Sequence, residues 1–426
     1  MKKYYFTKLS DKKKKELIKR KAISSDSVKK TVEKICSDVK RNGLKSAIKY
    51  ANKFDGFSSD NVYVTEKEFS EAEKLLSSEI KSAVKSAYKN IYKFHAKQYP
   101  KDYFIETING VKCGRKFLPI ENVGVYIPAG TAPLPSTMLM LGVPSQIAGC
   151  KRIVVFSPAK DKINPAILYA AKLCGIKEFI KIGGAQGISL LAYGSDNFKK
   201  VDKIFGPGNQ FVTTAKSVVS IDPDGCAIDM IAGPSELLVI ADNFANPDFV
   251  AADLLSQAEH GKDSMVILLT ASEDLIRKVG DSLNQQLKNL PRKVFAKATI
   301  ESSFCMLVDD VNDAFNFSNT FAPEHLILNL KNAKKYLNKV VNAGSVFIGE
   351  YTPESAGDYA SGTNHSLPTF GFARSSSGVG VEMFMKGVTF QSINKKGIKS
   401  LSKTIITLAE TESLQAHAEA VKVRLK

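Results

Sequence analysis

The residue pattern predicts an α/β protein with two parallel-sheet units, a helical N-terminal region and a helical C-terminal tail. Three observations carry this. From about Asn122 onward, short apolar runs alternate with helix-length segments, which is how parallel strands with covering helices read. The alternation comes in two series, Val123 to Phe205 and Glu236 to Ile348. Before it, apolar residues recur at helical rather than strand spacing.

In chain order, Val28, Val32, Ile35 and Val39 share one helix face, and Gly43 interrupts the pattern. Thr65-Glu-Lys-Glu68 reads as a capping box opening one long helix, with an apolar stripe from Phe69 to Phe94 that Pro100 ends. His95 beside that stripe reads as a surface or packing residue. The first strand series is Val123 to Pro128, Arg152 to Phe156, Phe179 to Ile182 and Asp202 to Phe205, with helices at Ser136 to Gly149 and Pro165 to Gly175. The second is Glu236 to Ile240, Met265 to Leu269, Cys305 to Val308 and Ser345 to Ile348, with helices at Asp248 to His260 and Leu275 to Leu287. Beyond Gly380 the chain returns to helix, Leu401 to Arg424.

Length and composition bound the function. At 426 residues, 44% apolar and 24% charged, the chain suits roughly two to three globular domains rather than a disordered or fibrous protein. No apolar run approaches the ~18 residues of a spanning helix, and Met1 to Lys21 is basic without the apolar centre of a secretory signal. A cytoplasmic protein with no membrane partner is expected. The net charge of +17 invites a nucleic-acid reading, but only eight basic residues are Arg and the Lys residues are spread along the chain. A solvated Lys-rich surface is the expectation, with no nucleic-acid partner. The six Cys lie far apart without a Cys-x-x-Cys pair, as reduced structural thiols do.

Four of the five His stand beside groups suited to metal binding or proton transfer. Gln257 and His260 are three apart on the expected helix, which puts both on one face within reach of one ion; a polar helix end is the competing reading. Glu324 and His325 stand side by side after Pro323, fit to divide two proton-transfer roles near neutral pH. A surface pair at a helix start would look the same. The segment Ser355 to Thr369 gathers Asp358, Asn364 and His365 among small residues and glycines, the texture of an active-site loop. His417 follows Glu412 in the tail, where a lone His is ordinarily solvated. Gly183-Gly-Ala-Gln186 and Gly206-Pro-Gly-Asn209 each follow an expected strand, yet neither is the dinucleotide fingerprint, and the phosphate-loop motif is absent. Ser235 stands just before a strand, facing a cleft or capping a turn.

Together these segments resemble the histidinol dehydrogenase family. The resemblance rests on Val123-Gly-Val-Tyr126-Ile-Pro-Ala-Gly130, Gly183-Gly-Ala-Gln186, Gly206-Pro-Gly-Asn209, Ala232-Gly-Pro-Ser235-Glu236, Leu255-Ser-Gln257-Ala-Glu-His260-Gly261, Ala322-Pro-Glu324-His325-Leu326 and Gly357-Asp358 through Asn364-His365. Phe54-Asp-Gly56 and Glu412 to His417 extend it over nearly the whole chain. It implies a homodimeric enzyme that oxidises L-histidinol to L-histidine through L-histidinaldehyde, using two NAD⁺ and one Zn²⁺ per subunit. The implied zinc ligands are Gln257, His260, Asp358 and His417, the last donated across the dimer. The implied catalytic pair is Glu324 and His325. Implied substrate contacts are Ser235, Gln257, His260, His325, Asp358, Glu412 and His417, and implied NAD contacts are Tyr126, Gln186 and Asn209. Asn364 and His365 complete the expected loop.

The implied fold is two incomplete Rossmann-like units. The expected division is a basic helical segment over 1–21, a discontinuous catalytic unit over 22–125 with 237–379, an NAD-binding unit over 126–236, and a helical tail over 380–426 reaching the partner subunit. Three other readings remain open: an NAD-dependent dehydrogenase of another small polar alcohol, a zinc hydrolase without NAD, and a basic nucleic-acid-binding protein.

Overall fold

The computed structural model describes residues 1–20, 25–59, 61–129, 133–196 and 198–426. The Gly130 end of the first family-like motif therefore lies outside the described residues. In chain order the strands are β1 (Lys2–Tyr5), β2 (Tyr103–Ile108), β3 (Val111–Pro119), β4 (Asn122–Tyr126), β5 (Arg152–Phe156), β6 (Glu178–Ile180) and β7 (Lys203–Phe205). There follow β8 (Ala227–Ile228), β9 (Glu236–Ala241), β10 (Met265–Thr270), β11 (Phe304–Leu307), β12 (His325–Asn329), β13 (Ser345–Ile348) and β14 (Met385–Ile393). Among the described residues they form a five-stranded sheet, β6-β5-β4-β7-β8, a six-stranded sheet, β1-β11-β10-β9-β12-β13, and a three-stranded sheet, β14-β3-β2.

The two larger sheets are parallel throughout. Strands such as β9 are buried along their whole length, the reason they read as unbroken apolar runs. In each sheet the strand order steps outward and then returns past the first strand, so a switch point falls between β4 and β7 and another between β9 and β12. Open α/β sheets bind ligands at such points, outside the strands' carboxyl ends. At the β4/β7 switch point Gly206 has φ 124°, and a Cβ there would lie 2.3 Å from the Tyr126 carbonyl oxygen. Only glycine lets the turn come that close.

The helix Asp26–Asp55 buries Val28, Val32, Ile35 and Val39 as expected, and Gly43 kinks it at φ 55°. The capping box at Thr65 forms, but the long helix it was expected to open is two helices, Glu66–Leu75 and Ser78–His95. Leu76 is extended and the Ser77 hydroxyl accepts from the Ile80 N–H, so a second N-cap restarts the helix. His95 is buried and faces Gln98 Oε1 at 2.6 Å, a packing residue.

These N-terminal helices bury their apolar faces in the two cores around the five-stranded sheet, with residues Val28 to Ile91 among their members. The expected boundaries group them instead with the six-stranded sheet. The first residues go the other way: β1 pairs with β11, and Tyr4, Phe6, Leu17 and Ile18 pack on a core of the six-stranded sheet. The segment expected to be helical thus begins as an edge strand, with a helix only over Asp11–Ile18. Its Lys residues are the usual protection of a sheet edge and conceal the strand in the sequence.

The antiparallel third sheet was not anticipated. Its β14 falls within the tail expected to be helical, which then continues as Lys395–Thr411 and Gln415–Lys422. Every residue of β2 is exposed, including Tyr103, Phe104 and Ile105. No helix among the described residues is long and apolar enough to cross a membrane.

Candidate active site

The neighbouring strands β9 and β12 carry the core of the site at their amino ends. The helix Val311–Phe321 ends with Ala322 in the left-handed region, and Pro323 then leads into Glu324 and His325 at the start of β12. This corrects the helix-start setting considered for the pair: both residues are buried at a strand start. The Glu236 N–H donates to Glu324 Oε2 at 2.8 Å, and the Glu236 carbonyl lies 3.3 Å from His325 Nδ1. A carbonyl can only accept, so this pairing assigns the proton to Nδ1 and the lone pair to Nε2. Nε2 faces Asp358 Oδ1 at 3.9 Å.

The short helix Glu354–Tyr359 places Glu354 and Asp358 four residues apart on one face. Glu354 Oε1 is 3.5 Å from His325 Nδ1. His325, Glu354 and Asp358 each offer a ligand atom, all within 4.8 Å of one another. The helix Pro247–Ala258 adds Asp253 and Gln257, again four apart. Gln257 is fully buried, with its side-chain amide against the Glu354 carboxylate and the His325 ring. His260 lies beyond the end of that helix, not on it, so its nearness to Gln257 comes from a tight turn in which its N–H reaches the Gln257 carbonyl at 3.3 Å. Gly261 ends the turn rather than the helix.

Burial dominates the electrostatics. It drives His325 down to about 3, so the ring is neutral at pH 7 and its carboxylate contacts are polar contacts rather than ion pairs. Burial pushes Glu324 and Glu354 well above the usual carboxylate range, aided by the acids around each. Asp358 is raised to about 6 and Asp253 to about 7, both by burial. His260 is exposed, yet what burial it has lowers it, and the Asp358 charge opposes that. Carboxyl groups of raised proton affinity around a neutral imidazole can exchange protons or receive a cation.

The loop after Asp358 joins this edge to the carboxyl edge of the five-stranded sheet. His365 meets the Asp358 carbonyl through Nδ1 at 3.0 Å and Thr137 Oγ1 through Nε2 at 3.1 Å. Thr137 lies in the first turn of the helix Pro135–Ala148 that follows β4. Asn364 is buried and donates to the Met140 carbonyl at 2.6 Å, so it anchors the loop. Tyr126 ends β4 and is buried, with its hydroxyl pushed up by burial and bonded to the Gly184 backbone. Gln186, also buried, donates to Asp55 at 2.8 Å. Asn209 is exposed and caps the helix Gln210–Ile221 through its side-chain oxygen. Ser235 precedes β9, half-buried, with its carbonyl accepting from Met265.

The family model described as histidinol dehydrogenase matches residues 18–425. The chain belongs to the histidinol dehydrogenase family. It is 49% identical to the histidinol dehydrogenase of Campylobacter jejuni strain RM1221 over 419 residues, 98% of this chain and 97% of that one. The Aliivibrio fischeri enzyme is 48% identical over 427 residues, covering 100% and 97%. A crystal structure of histidinol dehydrogenase from Elizabethkingia anophelis superposes with TM-score 0.95 at 48% identity, covering 100% of this chain and 98% of that one. The chain is thus an oxidoreductase of this family, and the two-sheet α/β fold is the family's.

Within this histidinol dehydrogenase fold, two expected residues stand apart from the cluster. Glu412 and His417 are exposed on the helical tail beside the three-stranded sheet. Conversely, Glu354 belongs to the cluster although the sequence reading began its loop one residue later. Its spacing of four from Asp358 was the available sign. Asp253, Glu236 and Thr137 also lie at or beside the site; Glu236 stood within the quoted Ala232 to Glu236 motif without a role, and Asp253 and Thr137 carried no signal of their own.

Proposed function

We propose that this chain oxidises L-histidinol to L-histidine through L-histidinaldehyde, reducing two NAD⁺ at a zinc-containing site shared between the subunits of a cytoplasmic homodimer. The observation that carries the reading is the set of buried His325, Glu324 and Gln257 with half-buried Asp358, lying where the amino edge of one sheet meets the carboxyl edge of the other. The carboxyl edge of the five-stranded sheet is where a dinucleotide would lie, and Tyr126, Gln186 and Asn209 surround that switch point.

The donor chemistry fits zinc. Imidazole nitrogen and carboxylate oxygen are its ordinary ligands, and Asp358 and His260 influence each other's charge across the site. In this reading Gln257, His260 and Asp358 hold the ion together with His417 of the partner subunit. When bound, the ion anchors the substrate's imidazole and amine and polarises its oxygen. The exposure of Glu412 and His417 supports a donation across the dimer, and so do the exposed Tyr103, Phe104 and Phe390 of the three-stranded sheet and Leu414 of the tail, since such apolar surface favours a covering partner.

His325 Nε2, with its lone pair toward Asp358, takes the hydroxyl proton as the neighbouring C–H leaves as hydride. Glu324 then takes a proton from the water that adds to the aldehyde, giving the hydrate that undergoes the second oxidation. Ser235 and the partner's Glu412 position the substrate. Purified protein given histidinol and NAD⁺ should form two NADH per histidine, lose turnover on chelation and regain it with Zn²⁺. One NADH per substrate, or faster turnover of another amino alcohol, would overturn the assignment.

A further inference from the structure

We infer that Arg20, carried by the N-terminal segment, is a positioning residue that holds Glu324 and His325 in register through Glu236. Arg20 reaches from the end of the basic segment to the start of β9. Its Nε and Nη2 donate to the two oxygens of the Glu236 carboxylate, each at 2.9 Å, and Nη1 donates to the Ile18 carbonyl at 3.1 Å. The side chains are 11% and 5% exposed. A fork held on both oxygens fixes orientation as well as distance.

What makes this pair more than a structural tie is where Glu236 sits. Its side chain also accepts from the Phe370 N–H at 3.2 Å, which ties down the far end of the loop carrying His365. Its own N–H holds Glu324, and its carbonyl holds His325. The guanidinium also lies 3.6 Å over the ring of Phe321, the last residue of the helix that leads into the Glu324-His325 turn. Arg20 thus grips both elements that present the acid–base pair, without touching either member. The Lys-rich segment before it packs on the six-stranded sheet through β1, Phe6, Leu17 and Ile18 and brings the guanidinium to this point.

The inference rests on Glu324 and His325 being the proton-transfer pair, and it predicts a particular kinetic signature. Loosening Glu236 displaces both groups together, so Arg20→Ala should slow alcohol and aldehyde oxidation alike, by about tenfold, since displacements under an ångström already carry such penalties. KM for histidinol and NAD⁺ and the zinc content should stay within about twofold of wild type. Arg20→Lys, which keeps the charge but not the fork, should fall between the two. Wild-type kcat in folded Arg20→Ala would overturn the inference. Should that variant fail to fold, Arg20→Lys decides: lowered kcat at unchanged KM supports the inference, and unchanged kcat refutes it. Glu324→Gln run in parallel separates the two levels, because failure of the underlying reading would leave that variant fully active whatever the Arg20 variants do.

Discussion

Glu324→Gln slows the oxidation of histidinaldehyde by about a hundredfold, the lower range for loss of a general base, and leaves histidinol binding within about threefold of wild type. The substitution is nearly isosteric. A Gln side-chain oxygen can still accept from the Glu236 N–H that now holds the carboxylate at 2.8 Å, so the strand start keeps its shape. What is lost is the ability to take and return a proton, which burial favours by pushing this carboxyl well up. His325→Gln should show the complementary defect, with the first oxidation slowed most. Single-turnover NADH formation from histidinol and from histidinaldehyde separates the two. An unchanged aldehyde rate in Glu324→Gln would remove that residue from the role.

A mixture of two inactive variants recovers activity that neither has alone. Asp358→Asn and His417→Asn should each lose zinc and about a hundredfold or more in turnover, since loss of even a partner behind a metal ligand costs up to about a hundredfold. If each site takes Asp358 from one chain and His417 of the partner subunit, half of a randomly reassorted mixture is heterodimer, with one intact site in each. Recovery to about a quarter of wild-type turnover is then expected, from the pairing arithmetic of a two-fold dimer. Coexpression with two tags, or dissociation and reassociation, provides the mixture. No recovery, with heterodimers present, would place the whole site within one chain. The exposed position of His417 in the single chain is what makes this outcome expected.

Legibility in the sequence followed burial. Strands buried on both faces, such as Glu236–Ala241 and Arg152–Phe156, read as apolar runs with bounds correct to within a residue or two. The strands β2, β3 and β14 give neither a clean alternation nor an apolar run, because β2 is exposed on both faces in the single chain and little of β3 and β14 is buried. The helix break at Leu76 was hidden because the apolar stripe keeps its phase across it and Ser77 alone restarts the helix. Motifs with several polar groups close in sequence were readable as a site. Glu354 and Asp253 were not, because a single acid in a sequence does not disclose that folding will bury it beside three others. Arg20 was unreadable for a further reason: its partner is 216 positions away. The position of His260 was right for its turn, not for the helix invoked.

The most direct measurement is anomalous diffraction at the zinc edge from crystals of the protein as purified. Two donor sets compete for the ion: Gln257, His260 and Asp358 with His417 of the partner subunit, or the compact trio His325, Glu354 and Asp358. The account predicts one peak per site at about 2 Å from the first set, with His325 Nε2 left free to accept a proton. A peak bonded to His325 would make the base a ligand and contradict it.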